Sequence, residues 1–536
     1  MYNFTIKRSF FLVPHEHMIG EFNKIDNFMA LLEKSGVGKI IKNVKRTDLN
    51  HKGRKGYNPY NLFAAIIYCF SKFKGTLRDI EDKVMYDYRV SYILEGNIPD
   101  HSTIGNFINK YILPYHYEIF TLINIQIIKE LDLDISDIFG DGTKLEANAN
   151  KYKFVWKPTK FHQKLDRKIK EYLVELESIS LANKKGWVTA YEINVTIKDF
   201  ALKNNIDIYN IPNGKGKRLS KEQKLCKTGY KYLEKLIEYE EKERICGENR
   251  NSYFKTDIDA TAMMLKEDYY SKLSHDFHAA YNFQAYISSG LIMMYGIFQD
   301  RTDYHTLIPM LNLYKKYYGF YPKNICDDAG YGIYENYLFL KKNNIGNYIK
   351  FQNWKGESSG KNPQLFYSFD DGVMCLNTNI GEEIKFSNNH QKEKKTKLYK
   401  FSGCNSCGFS YKCRKKLKKE NQEKDYRIVE LNIEYELLKE EARKNLLSPK
   451  GIEMRINRSI QSEGTFGQLK NNMDYNRIRR RGIEKVKCEI MLECLGANIR
   501  RYFKSQDSNK FQKSYWKCSP NLQSEKFPSV KQKKKL

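Results

Sequence analysis

Apolar residues recur three or four positions apart through the first quarter of the chain, between residues 20 and 132. This spacing is typical of helices with one buried face. Thr76, followed three residues later by Asp79, predicts the start of a helix over Leu77–Tyr86. We therefore predict a helical N-terminal domain over residues 1–132. A helix-turn-helix-like unit and a plain helical bundle fit this pattern equally well.

Short apolar runs typical of strands replace this pattern between residues 135 and 351. Helices are predicted after the third and fourth runs, and Ser288–Gly290 forms a hairpin turn between the second and third. With the helical stretch at about 150–255 set aside as an insertion, the order is that of an RNase H-like mixed sheet in an α/β fold. The first and fourth strands then lie side by side. The predicted strands are Ile135–Asp141, Tyr281–Ile287, Leu291–Phe298, Asn324–Asp328 and Tyr348–Phe351.

The rest of the chain divides by composition. Residues 133–350 form the first part of the core, with the helical insertion inside it. Residues 351–445 are polar, rich in lysine and contain a group of cysteines, so we predict a second insertion there. Helical spacing returns in 446–504, which we predict to complete the core. Residues 505–536 lack periodicity and end in a run of lysines, which predicts a disordered basic tail.

The charge balance points to a polyanionic partner. Among 536 residues, 92 Lys and Arg face 64 Asp and Glu, a net charge of +28. Such a surplus destabilises a compact chain through self-repulsion unless a polyanion neutralises it. Double-stranded DNA is the leading partner, and an anionic membrane surface is the alternative. No apolar run approaches the roughly 18 residues of a membrane-spanning helix. We therefore predict a cytoplasmic protein that does not act on a membrane.

Three acidic residues could form a metal site. Asp141 and Asp328 close the first and fourth predicted strands, and Glu463 lies in a helical pattern seven residues before Lys470, on the same face. Each alone is more often a turn or surface residue. Together they offer hard oxygen ligands for two Mg²⁺ or Mn²⁺ ions about 3.5–4 Å apart. Asp327 cannot share the site with Asp328, since adjacent strand residues face opposite ways.

These acidic residues begin segments with a family resemblance. The stretches DGTKLEAN from Asp141, DAGY from Asp328 and EGTFGQLK from Glu463 resemble the catalytic blocks of bacterial insertion-sequence DDE transposases. The resemblance extends from about residue 50 to 502. It implies an RNase H-like core in which the two aspartates and the glutamate hold the catalytic Mg²⁺ or Mn²⁺ pair. It also implies that Lys470, Lys144 and Arg458 contact DNA, although Arg458 stands one place before the family's arginine.

The implied reaction is phosphodiester chemistry on DNA. Water would cleave the DNA at an element end, and the freed 3′-hydroxyl would attack target DNA. Because two DNA ends are assembled together in this family, the resemblance also implies at least a homodimer. A metal-dependent endonuclease without strand transfer is an alternative. A catalytically inactive repressor derived from such an enzyme is another.

Two further clusters are candidates for binding. Cys404, Cys407 and Cys413, with Cys375 about thirty residues earlier, could hold a structural Zn²⁺ or could be free thiols. A run of arginines after the Glu463 segment is interpreted as a phosphate clamp rather than a solvated face. Its members are Arg477, Arg479, Arg480 and Arg481. Aromatic residues of the second insertion could stack on unpaired bases, among them Trp354, Phe366 and Tyr367.

Overall fold

The structure of the chain is a computed structural model. It describes residues 15–42, 56–73, 75–212, 218–248, 250–265, 276–359, 364–369, 372–385, 395–415 and 417–507. The predicted basic tail lies outside the described residues from position 508 onward. Its first three residues, 505–507, end a helix instead. None of the helices in these ranges is both long and apolar enough to cross a membrane.

The N-terminal part is helical, as the apolar spacing predicts. Thr76 Oγ1 accepts a hydrogen bond from the backbone N–H of Asp79 at 3.0 Å, so the fourth helix begins where the sequence indicates. A π turn and a 3₁₀ turn join the sixth and seventh helices. The helices are α1 His15–Lys34, α2 Gly38–Lys42, α3 Pro59–Lys72, α4 Leu77–Tyr86, α5 Tyr88–Ile93, α6 His101–Phe107 and α7 His116–Leu131.

The buried helix α3 packs against the last described helix of the chain, which spans Ile483–Asp507. Gly496 permits the close approach, because a Cβ added there would lie 2.5 Å from the Phe70 carbonyl oxygen. One hydrophobic cluster contains residues of the N-terminal helices, the sheet and this last helix. The N-terminal helices therefore share their core with the rest of the molecule, and the predicted division into domains stays a prediction.

The central sheet is mixed, which makes the protein a mixed α/β structure. Its order is β4-β5-β1-β7-β8, with β6 paired to β5. β1 is antiparallel to β5 and parallel to β7, so the first and fourth predicted strands are neighbours, as expected. The helices α12 Leu307–Tyr318 and α13 Tyr334–Lys342 follow β6 and β7. The strands are β1 Asp137–Glu146, β4 Thr261–Met264, β5 Phe277–Ser288, β6 Leu291–Phe298, β7 Asn324–Cys326 and β8 Gly346–Asn347.

Several strand ends differ from those predicted. β7 ends at Cys326 rather than at Asp328, which instead begins a 3₁₀ turn. β1 continues past Asp141 to Glu146, because the 12-residue β5 pairs with it along that whole length. The last strand is Gly346–Asn347 rather than residues 348–351, because the Asn347 side chain accepts the backbone N–H of Ile349 and turns the chain. Asp141 consequently lies within a strand and not at its end.

The first insertion has a hydrophobic cluster of its own. The antiparallel strands β2 Phe154–Trp156 and β3 Ser252–Phe254 form a short ribbon at its base. Buried residues that include Ile169, Ile193 and Leu236 form a cluster separate from the main core. The helices between the two strands are α8 Thr159–Glu175, α9 Ile179–Ala182, α10 Ala190–Lys203 and α11 Lys221–Cys246.

The region of the cysteines contains two small sheets. β9 pairs with β10, and β12 lies between β11 and β13. Its elements are α14 Trp354–Ser358, β9 Phe366–Phe369, β10 Gly372–Cys375, β11 Glu382–Ile384, β12 Lys397–Ser402, α15 Ser410–Arg414, α16 Lys419–Gln422, β13 Tyr426–Leu431 and α17 Ile433–Leu447. The chain then returns to the sheet through α18 Pro449–Arg458, a π turn Ser459–Glu463, α19 Gly464–Gly467, a second π turn Gln468–Asn472 and α20 Ile483–Asp507.

Candidate active site

Asp141 lies where β1 passes beyond its parallel neighbour. β7 pairs with β1 only from Asp137 to Phe139, since β7 ends at Cys326. On its other side, β1 stays paired with β5 as far as Glu146. The Asp141 side chain therefore stands on a strand that is held firmly by one neighbour and has passed the end of the other.

Two more carboxylates approach this position. Asp328 begins a 3₁₀ turn, where its Oδ1 accepts the backbone N–H of Gly330 at 2.7 Å. Asp303 follows β6, and a Cβ added to Gly142 would lie 3.0 Å from its Oδ1. A Cβ added to Gly330 would lie 3.8 Å from Asp303 Oδ2. The absence of side chains at these two glycines leaves room for the carboxylates to converge.

The amides of β5 hold Asp303 in place. Its Oδ1 accepts hydrogen bonds from Asn282 Nδ2 at 2.8 Å and Gln284 Nε2 at 2.7 Å. Gln284 in turn accepts a hydrogen bond from the Tyr331 hydroxyl. The sequence did not indicate Asp303 as a ligand. Its signal was the regular alternation of Asn282 and Gln284 on one face of a strand, which only the fold connects to Asp303.

Burial is the largest influence on the Asp141 carboxyl and raises its pKa. The negative charges of Asp328 and Asp303 raise it further, whereas Arg458 and the Gly142 backbone N–H lower it. Like charges close together favour the protonated form, and a cation between them would reverse that preference. The site therefore has the electrostatics of a cation-binding cluster.

The neighbouring Asp327 has a different role. It is buried, its Oδ1 accepts the backbone N–H of Gly140 at 2.7 Å, and its Oδ2 has no hydrogen-bond partner in the described ranges. Burial raises its pKa to about 8, and the charge of Asp328 acts in the same direction. Asp327 thus joins β7 to β1 from inside, while the partly exposed Asp328 is accessible to a ligand.

Cationic side chains border the carboxylates. The Arg458 Nη1 atom lies 3.6 Å from Asp141 Oδ2. Lys470 donates a hydrogen bond to Thr143 Oγ1 at 2.5 Å, two residues further along β1 and on the same face as Asp141. Lys350 is near enough to Arg458 and Arg455 that their charges, together with burial, lower its pKa. Lys144 lies on the opposite face of β1 and donates to the Met264 carbonyl oxygen at 3.3 Å.

Glu463 is the predicted metal ligand whose charge is not among those acting on Asp141. Its side chain is exposed, and its Oε1 accepts a hydrogen bond from Ser459 Oγ at 3.0 Å. It ends a π turn, and Lys470 lies in a second one. A π turn closes i→i+5, so the seven-residue spacing does not by itself place both residues on one face. Its membership of the metal site stays a prediction.

Two protein-family models match parts of the chain. Residues 375–503 match the family model described as Transposase DDE domain. Residues 11–110 match the model described as Transposase domain (DUF772). Both matches support an insertion-sequence DDE transposase. The first match includes Glu463 and Lys470, and neither match includes Asp141 or Asp328. No curated protein and no solved structure matches this transposase in the corresponding comparisons.

The matched DDE transposase domain implies dependence on divalent metal ions. Asp141 and Asp328 fit such an ion, because both offer hard oxygen ligands and the charged form of Asp141 is disfavoured by burial and by the charges of Asp328 and Asp303. Within the described part of the transposase, no three His, Cys, Asp or Glu side chains are close enough to hold a metal together. Arg458 instead supplies the nearby positive charge. Asp141 and Asp328 alone therefore do not complete a ligand set for two ions.

The arginine run contacts several parts of the transposase. Arg477 lies 3.6 Å from Glu146, and Arg479 lies 3.1 Å from the buried Glu493. These two contacts join the run to the sheet and to α20. Arg480 donates to Asn109 Oδ1 at 2.8 Å, and Arg481 donates to the Asn148 carbonyl oxygen at 2.7 Å. Because these last two acceptors are neutral, Arg480 and Arg481 are the better candidates for a phosphate contact.

The four cysteines line one pocket. Cys375 lies on β10, and Cys404, Cys407 and Cys413 lie in and after the loop that follows β12. All four are half-buried free thiols. Arg427 donates to Cys413 Sγ at 2.7 Å. Cys375, which the sequence indicated only as a possible fourth ligand, shares their pocket although it lies about thirty residues earlier. The zinc hypothesis stays a prediction, since the thiols are not close enough to form a metal-binding group.

Proposed function

We propose that this protein cleaves DNA at the ends of a mobile element and joins the freed 3′ ends to target DNA. The observation that supports this most strongly is that the charges of Asp328 and Asp303 act on Asp141, on the side of β1 that β7 leaves unpaired. Basic side chains, among them Arg458, border these carboxylates. A carboxylate cluster inside a chain of net charge +28 is suited to metal-assisted chemistry on a polyanion.

Asp141, Asp328 and Glu463 would hold two divalent ions, Mg²⁺ or Mn²⁺, which lower the pKa of an attacking oxygen and neutralise charge on the phosphate. Asp141 is positioned for this by β5, and Asp328 by its turn. Arg458 lies beside Asp141 and would move to a DNA phosphate when a metal ion takes over that charge. Lys470, which donates a hydrogen bond to Thr143, would bind the DNA strand on the side of the site toward Glu146.

The partner in this proposal is double-stranded DNA, both as element ends and as target. Arg480 and Arg481 would bind phosphates beside the site, while Arg477 and Arg479 keep that loop attached to the protein. Since two ends must be joined, we propose that at least a dimer assembles on DNA. The DNA would be reached in the cytoplasm.

The test is a strand-transfer assay with the whole protein. DNA that contains the sequences flanking the coding region is incubated with Mg²⁺ or with EDTA and a target plasmid. We expect cleaved and joined products with Mg²⁺ and neither with EDTA. Cleavage without joined product would favour the endonuclease, and binding without cleavage would favour the repressor.

We propose further that Cys375, Cys404, Cys407 and Cys413 hold a structural zinc ion. Four thiols around one pocket support this, because thiolates in tetrahedral array are the preferred ligands of structural Zn²⁺. A loop region of short strands would gain order from such an ion. Arg427 would then balance the negative charge of the Cys413 sulfur.

Elemental analysis of purified protein under reducing conditions checks the zinc. We expect about one zinc per chain, reduced by Cys404→Ser but not by Cys246→Ser, which changes a buried cysteine outside the pocket. Less than about one-tenth of a zinc per chain in the unmodified protein would contradict a four-ligand site.

A further inference from the structure

The ribbon at the base of the first insertion exposes aromatic side chains. Its sequence from residue 151 to 157 is KYKFVWK. Tyr152 is 81% exposed, Phe154 46% and Trp156 52%. Phe154 and Trp156 lie on the same face of β2 and contact each other edge to face, with ring centroids 5.7 Å apart. A surface with three neighbouring aromatic rings is unusual, because such side chains are normally buried.

The ribbon is anchored beneath this surface. β3, the partner of β2, is buried at all three of its residues. Phe254 belongs to the main core and contacts Phe154, with ring centroids 6.4 Å apart. The exposed rings are therefore held on a rigid support, which reduces the conformational entropy lost when a ligand binds to them.

The surroundings of the rings are basic. Lys151, Lys153 and Lys157 alternate with the aromatic residues. The Arg301 guanidinium lies over the Trp156 ring, 5.8 Å from its centroid. Arg301 is partly exposed, so its positive charge is accessible from the surface of the ribbon. A cation next to a flat aromatic surface is complementary to a ligand that has both phosphates and rings.

The same arginine connects the ribbon to the candidate active site. Arg301 lies two residues before Asp303, whose carboxylate approaches Gly142 beside Asp141. β2 also follows β1 after only seven residues. A DNA strand bound with its reacting phosphate at the carboxylates would therefore have neighbouring nucleotides within reach of the ribbon.

We propose that Trp156 and Phe154 stack on unpaired bases of the DNA end held at the active site, while Arg301 binds an adjacent phosphate. This rests on the proposed function, since it places the ribbon along the path of the cleaved strand. Stacking does not depend on base identity, because every base has an aromatic face. The duplex interior offers no such face, so the ribbon distinguishes single-stranded from paired DNA.

The test measures binding by the full chain in EDTA, so that it does not depend on cleavage. The probes are an oligo-dT strand containing one 2-aminopurine and a fully paired duplex of equal length. We expect Trp156→Ala to weaken oligo-dT binding by about 5- to 150-fold, the range for one lost base–aromatic contact. Duplex binding and its salt dependence should stay unchanged. Trp156→Phe, which keeps an aromatic ring, should retain most of the affinity and the 2-aminopurine quenching.

Tyr209→Ala is the matched control, because Tyr209 is 92% exposed on the same insertion but away from the ribbon. Equal oligo-dT affinity of Trp156→Ala and Tyr209→Ala would overturn the proposal. An equal loss on the duplex and on oligo-dT would also overturn it. A protein that binds oligo-dT through Trp156 but never cuts DNA would retain the ribbon proposal and refute the transposition chemistry.

Discussion

Replacing Asp141 by Asn is expected to lower the rate of DNA cleavage by at least about 10²–10³-fold, the loss typical when one preorganised charge-stabilising group is removed. The carboxylate stands on a central strand that β5 holds in register, and its negative charge is what an ion at this position would bind. Asn keeps the size of the side chain and one oxygen but loses the charge. The fold should therefore remain intact.

DNA affinity should change in the opposite direction. Removing a negative charge next to Arg458 reduces repulsion of phosphate, so Asp141→Asn is expected to bind DNA in EDTA at least as tightly as the unmodified protein. Cleavage is measured on labelled DNA with Mg²⁺, and binding is measured separately.

Asp137→Asn is the control for this strand. Asp137 lies four residues earlier on β1, is partly exposed, and pairs with Lys450 at 2.5 Å. A partly exposed ion pair contributes about 0–1 kcal/mol, so its loss should leave cleavage nearly unchanged. Full cleavage by Asp141→Asn, or an equal loss in Asp137→Asn, would contradict the assignment.

The second prediction concerns which residue completes the metal site. Glu463→Gln is expected to lower cleavage by a factor similar to that for Asp141→Asn, about 10²–10³-fold. The physical reason is that two ions need a third carboxylate to balance their charge. Glu463 is exposed and has only the Ser459 hydroxyl as its described hydrogen-bond partner, so its carboxylate is available to a metal ion. π turns are frequent at functional sites.

Asp303 is the alternative third ligand, because its carboxylate already approaches Gly142 and Gly330. If Asp303 only supports the site, Asp303→Asn should reduce cleavage less than Glu463→Gln. Its hydrogen bonds from Asn282 and Gln284 would partly persist with an amide oxygen. Glu453→Gln, an exposed glutamate on α18, is the control and should leave cleavage unchanged. If Glu463→Gln cleaves DNA normally and Asp303→Asn does not, Asp303 is the third metal ligand and Glu463 is not.

Much of the fold follows from local patterns. The start of α4 is decided by Thr76 and Asp79, which act within one turn. The hairpin between β5 and β6 is decided by Ser289 and Gly290, both of which have positive φ angles. Strand ends were predicted less well, since Asp141 is kept in β1 by pairing with Ala285, far away in the sequence.

The sequence by itself indicated the family, the pairing of the first predicted strand with the fourth, and the acidic residues worth testing, because each depends on residue type and spacing along the chain. It did not indicate β4, which lies at the edge of the sheet. The tertiary structure decided which of them meet. It brought Asp303 next to Gly142, beside Asp141, and it buried Asp327 against Gly140. It also placed Arg458 next to the Asp141 carboxylate, whereas the sequence indicated only a DNA contact for this arginine. It also showed that Cys375 shares a pocket with the later cysteines and that the ribbon aromatics are exposed. These outcomes depend on contacts between residues distant in the chain, which local spacing does not specify.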